Sequence, residues 1–283
     1  MFGIHTALVT PFDDEGAVDR DAAARLLARQ LDAGVHGVVV AGTTGESPTL
    51  DMTEWEHLVS DAVDQVDARV PVSAGIGTND TRTSVRKAEK AAALGADAGL
   101  LVLPYYNKPN PEGLRRHVAA VAAVGLPLII YHVPGRTGQR LEAPLLAELS
   151  AGAVAIKEAT GDVRYGGDVL ARTTTPLLSG DDFTFLGLMA QGATGVISVL
   201  SNVAPKQTVA IYDAHKAGAV EEAAVRFRRL WALMTALFSD TNPVPAKAAL
   251  SWLGLCRPAV RLPLAPWAGP DPATWVDASL RDG

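Results

Sequence analysis

Ala153-Val154-Ala155-Ile156-Lys157 is a short, nearly continuous apolar run that ends on an amine, and seven more runs of its kind punctuate the chain. They are Ile4 to Val9, His36 to Val40, Pro71 to Ala74, Ala98 to Leu103, Pro127 to Tyr131, Pro176 to Ser179 and Thr194 to Ser198. Between them lie alanine- and leucine-rich segments with helical spacing, among them Asp19 to Ala33, Thr53 to Val66, Asp80 to Leu94 and Glu112 to Val124. Thr53 with Glu56 three residues on reads as a capping box. Strands that are apolar on both faces and alternate with helices belong to a parallel sheet covered by helices. The closed form, an α/β (β/α)8 TIM barrel, is expected over residues 1–218. An open doubly wound sheet would carry a glycine-rich loop after its first strand, and Thr10-Pro11-Phe12-Asp13 is no such loop.

After the eighth barrel helix, expected around Pro205 to Ala217, a C-terminal helical appendage is predicted over 219–283. Its first helix places Val220, Ala224, Phe227, Trp231, Met234 and Phe238 on one side, a stripe that reads as packing against the barrel. No stretch rich in Gly, Ser or Pro separates independent domains.

Composition narrows the partners. The chain has 283 residues, 48% of them hydrophobic, enough for one large barrel core, and a net charge of −6 without a basic stripe for nucleic acid or an anionic membrane. A small molecule is the expected partner. Cys256 stands alone, which excludes a disulfide framework within the chain and suits a reducing compartment. No apolar stretch approaches bilayer-spanning length and Met1 to His5 lack a basic n-region, so a cytoplasmic location is expected. No His, Asp and Glu spacing matches a metal site, and no cofactor is expected.

In a barrel of this kind the chemistry gathers just past the C-terminal ends of the strands. Lys157 is the centre. At an ordinary lysine pKa about 0.04% of the amine is uncharged at pH 7, so a nucleophilic lysine needs a dry site that lowers the value. A lone lysine at a strand end is ordinarily solvated; its company here argues otherwise. After the second run, Gly42-Thr43-Thr44-Gly45-Glu46-Ser47 bends tightly and offers consecutive N–H groups beside two hydroxyls, a fit for a small carboxylate. Pro104 to Pro109 holds Tyr105 and Tyr106, and Tyr131 to Gly138 adds a phenol and the Arg136 guanidinium. Bond formation through an enamine needs protons moved on and off the imine centre, which Tyr131 with Thr43 and Tyr106 can do. Arg136 offers a planar fork to a substrate carboxylate. His132 and Glu158 alternate away from Tyr131 and Lys157 on their strands and read as packing and helix-side partner.

The blocks Gly42 to Ser47, Pro104 to Pro109, Tyr131 to Gly138, Ile156 to Gly161, Leu178 to Asp182, Gly195 to Ser198 and Asn242 to Lys247 occur in one order. In them the chain resembles the pyruvate-dependent class I aldolases, the family of the N-acetylneuraminate lyases and dihydrodipicolinate synthases. The resemblance implies that Lys157 forms a Schiff base with pyruvate, whose carboxylate Thr43 and Thr44 hold. It implies a proton relay of Tyr131, Thr43 and Tyr106, with Tyr106 supplied by a neighbouring subunit of a dimer of dimers. Arg136 would receive the carboxylate of aspartate semialdehyde, Gly180 and Ile197 would line the pocket, and lysine biosynthesis through diaminopimelate would be the setting.

Pro134 to Gly138 keeps a Pro-x-Arg-Thr-Gly pattern that favours the synthases over the sialic-acid lyases, although His132 and Gly135 stand where Asn and Ser are commoner. A 2-keto-3-deoxy sugar-acid aldolase and a silent keto-acid-binding barrel are the alternatives. Pro48, Met52, Trp55 and Thr83 occupy the region that binds feedback lysine in some synthases, so weak or absent inhibition by lysine is expected.

Overall fold

The computed structural model describes residues 1–280; residues 281–283, the end of the expected helical appendage, lie outside them. Eight strands close into a barrel in chain order: β1 (Gly3–Ala7), β2 (Gly37–Val40), β3 (Val72–Gly75), β4 (Ala98–Val102), β5 (Leu128–His132), β6 (Ala155–Glu158), β7 (Leu177–Ser179) and β8 (Gly195–Ser198). All neighbours are parallel, and β8 returns to β1 with Ile4 opposite Val196. The apolar runs become strands because each is wanted on both faces. Inward side chains such as Val39, Leu100, Ile129 and Leu178 form one cluster inside the barrel, and the outward ones pack under the helices in a second, larger core.

Side-chain caps define where the helices begin. Asp19 accepts from Ala22, Asp80 from Thr83 and Asn110 from Gly113, each satisfying a backbone N–H that the first turn leaves free. The capping box of helix Met52–Val66 is formed by Asp51 and Glu54, two residues before the predicted pair. Asp51 is the residue with extended backbone, φ −70° and ψ 172°, that a cap requires, whereas Thr53 is already inside the helix.

The predicted stripe after residue 219 is also corrected. The helix breaks at Leu230 into Val220–Arg229 and Trp231–Leu237. The break rotates the second piece, so Leu230, Leu233 and Leu237 are buried beside Met234 while Trp231 is exposed; in the first piece Phe227 is buried and Val220, at its start, is exposed. No helix among the described residues is long and apolar enough to cross a membrane.

Register positions the chemistry. Tyr131 on β5 and Lys157 on β6 are direct partners, as are Lys157 and Leu178 on β7, so all three project into the barrel. The next residues, His132 and Glu158, are partners too and are fully buried on the helix side, where the His132 ring lies 5.7 Å from that of Tyr165.

Candidate active site

Lys157 emerges at the C-terminal end of β6 and is only 5% exposed. Its Nζ sits 4.2 Å from the centre of the Tyr131 ring. Burial brings the amine's pKa down from 10.5 to about 7, against the opposing charge of Asp182 and with help from Arg136. About half of the amine is therefore neutral near pH 7, some thousandfold more than for a solvated lysine. Gly180 leaves room for it: a Cβ there would meet the Ala159 Cβ at 2.6 Å and the Lys157 Cε at 3.1 Å.

Tyr131 is equally dry. Burial raises its pKa, with the Arg136 charge and a hydrogen bond from Thr43 pulling the other way. The phenol thus stays protonated at neutral pH, ready to lend its proton and take it back. Thr43 and Thr44 stand in the Gly42–Ser47 turn, which is closed by Gly45 N–H and Ser47 N–H to the Gly42 carbonyl at 3.1 and 3.2 Å. The turn packs tightly on β3, where a Cβ on Gly75 would fall 2.0 Å from the Ala41 carbonyl oxygen.

These groups share one open cavity of about 360 Å³. Thr43, Thr44, Tyr131, Arg136, Lys157 and Gly180 all line it, so six of the eight residues selected from the sequence come together. Arg136, on the short helix Pro134–Thr137, is exposed at the mouth and reaches the Asn242 carbonyl at 3.4 Å. The other two stand elsewhere. Ile197 is buried in the inner layer of the barrel beside Tyr131 and Leu178, and the Tyr106 side chain is 88% exposed.

Two contributions escaped the sequence reading. Asp182, just past β7, is 1% exposed and accepts the Val199 and Leu200 N–H groups at 2.9 and 2.8 Å. Burial pushes its carboxyl up to about 6, and its charge acts on Lys157. A second acid after Gly180 was the available signal. Phe238, Asp240, Thr241 and Asn242 form one wall of the cavity, although that region read as a packing appendage.

Residues 1–273 match the Dihydrodipicolinate synthetase family. The chain belongs to that family. A 4-hydroxy-tetrahydrodipicolinate synthase from Citrifermentans bemidjiense is 48% identical over 269 residues, 93% of this chain and 92% of that protein. Among solved structures, a dihydrodipicolinate synthase from Thermotoga maritima superposes with a TM-score of 0.95 at 39% identity, over 100% of this chain and 98% of that one. A monomeric dihydrodipicolinate synthase variant gives the same score and identity, over 100% and 96%. Barrel and cavity are thus those of a dihydrodipicolinate synthetase family member, with the amine, phenol and threonine turn in one place.

Proposed function

We propose that this chain is a lyase of the class I pyruvate aldolase type, which condenses pyruvate with aspartate semialdehyde to 4-hydroxy-tetrahydrodipicolinate in lysine and diaminopimelate biosynthesis. The observation that carries the reading is the dry Lys157 amine, with a pKa of about 7, set 4.2 Å from the Tyr131 ring. The neutral amine attacks the keto carbon of pyruvate while Thr43 and Thr44 hold the carboxylate. Tyr131 protonates the carbinolamine oxygen, which leaves as water and gives the imine. Loss of a methyl proton forms the enamine, whose carbon attacks the aldehyde of the second substrate. The amine of the adduct then displaces Lys157 as the ring closes.

Arg136 receives the second substrate's carboxylate at the mouth, where its exposed guanidinium lines the cavity. Gly180 gives the amine space, and Ile197 supports the pocket floor through Tyr131. Tyr106 completes the relay from a neighbouring subunit of a homotetramer in the cytoplasm. No cofactor takes part.

Borohydride reduction in the presence of pyruvate tests the core of this reading. Mass mapping is expected to find the reduced adduct on Lys157; an unmodified Lys157 peptide with intact protein would defeat it. Arg136→Lys should form the same adduct yet lose at least tenfold in turnover with aspartate semialdehyde. Equal turnover would remove Arg136 from its role.

A further inference from the structure

Behind the Gly42–Ser47 turn lies a group of charges that the chemistry above does not use. Glu46 occupies the left-handed region, φ 54° and ψ 35°, where a residue with a side chain stays only when its surroundings hold it. Its Oε1 accepts from Lys247 Nζ at 2.5 Å and its Oε2 from the Arg261 backbone N–H at 2.9 Å. Both side chains of the ion pair are sealed, 0% exposed for Lys247 and 1% for Glu46.

The Lys247 ammonium also donates to the Ala259 carbonyl at 2.7 Å. It and the Arg261 guanidinium both approach the Phe12 ring, 4.1 and 4.3 Å from its centre. Arg261 then reaches out to the carbonyls of Gly16 and Thr49 and to the Glu54 carboxylate.

A sealed ion pair adds little net stability, because removing two charges from water offsets their attraction; in some proteins such a pair serves instead to select one geometry. The geometry selected here runs straight into the substrate turn. The Glu46 N–H donates to the Thr43 carbonyl at 3.1 Å, and the Thr10 hydroxyl donates to the Gly45 carbonyl at 2.7 Å. On its other side, Lys247 belongs to helix Val244–Trp252, which follows directly on the Thr241 and Asn242 wall of the cavity. The pair thus couples two walls that come from opposite ends of the chain.

We infer that Glu46 and Lys247, clamped by Arg261, are positioning residues that hold the Thr43–Thr44 turn in register with the C-terminal wall and so set affinity for the pyruvate carboxylate. The inference rests on the reading that Thr43 and Thr44 hold that carboxylate.

Removing one partner leaves a buried charge alone and endangers the fold, so the E46Q/K247M double variant is the main test. Folded by circular dichroism, it should show a pyruvate KM raised roughly tenfold with kcat within about threefold, and still form the reduced Lys157 adduct at saturating pyruvate. A wild-type pyruvate KM overturns the inference. If the double variant does not fold, Arg261→Ala decides: its guanidinium is partly exposed, and a KM raised about threefold supports the clamp while an unchanged KM rejects it. Thr44→Val separates the two layers. An unchanged pyruvate KM in Thr44→Val defeats the carboxylate reading, and the positioning role with it. A raised KM there beside wild-type values in the other variants defeats the positioning role alone.

Discussion

At Lys157 burial outweighs every charge nearby, and the direction of each influence has a kinetic consequence. The amine must be neutral to attack, so the rate of imine formation rises with pH through about 7 and levels off above it. Asp182 holds the amine's pKa up, since a neighbouring anion favours the ammonium. Asp182→Asn keeps an oxygen to accept the Val199 and Leu200 N–H groups but removes the charge. The Lys157 pKa then falls further, and the acid limb moves to lower pH. Because Asp182 itself titrates at about 6, it carries most of its charge at about pH 6.5, where borohydride trapping with pyruvate should become roughly twofold faster in the variant than in the parent. An acid limb that stays in place would exclude Asp182 from control of the nucleophile.

At the scale of elements, helix Met52–Val66 and helix Thr81–Ala93 face a region that offers little to a free amino acid. Trp55 is fully buried with its indole N–H committed to the Gly75 carbonyl, and the Thr83 hydroxyl is turned onto the Asp80 carboxylate. Lys87 lies over the Trp55 ring, 5.4 Å from its centre, where an arriving ammonium would be repelled. Millimolar lysine is therefore expected to inhibit turnover weakly or not at all in a steady-state assay; strong suppression would overturn this expectation. The elements themselves were largely legible, because strands buried on both faces read as apolar runs and their ends mark the catalytic rim. Alternation alone puts Lys157 and Tyr131 on the faces opposite Glu158 and His132; their direct pairing is a matter of register that alternation does not give. The capping box was misplaced by two residues because Thr53-x-x-Glu56 and Asp51-x-x-Glu54 carry the same spacing, and only backbone conformation chooses between them. The break at Leu230 has no Gly or Pro to announce it, and the wall at Asp240 to Asn242 depends on a contact between distant parts of the chain, which periodicity does not encode.

For the whole molecule, the telling residue is one that its own barrel does not use. Tyr106 is 88% exposed and holds φ at 70°, a conformation that a bulky side chain adopts only under constraint. The next residue, Asn107, anchors the loop by donating to the Asn79 carbonyl at 2.8 Å, so the phenol is presented outward from a tethered base. A large aromatic held out in this way suits insertion into a second copy, as the proposed relay requires. Mixing two defective proteins tests this directly. Lys157→Ala lacks the nucleophile but keeps Tyr106, and Tyr106→Phe has the reverse defect. If each phenol serves its neighbour, dissociating and reassociating equal amounts makes about half of the dimers mixed, with one intact site of two in each. Activity should then recover to about a quarter of the parent value. If each phenol serves its own subunit, every site in a mixed dimer keeps a defect and activity stays at the average of the two variants. That result would leave the exposed tyrosine without a catalytic role across the interface.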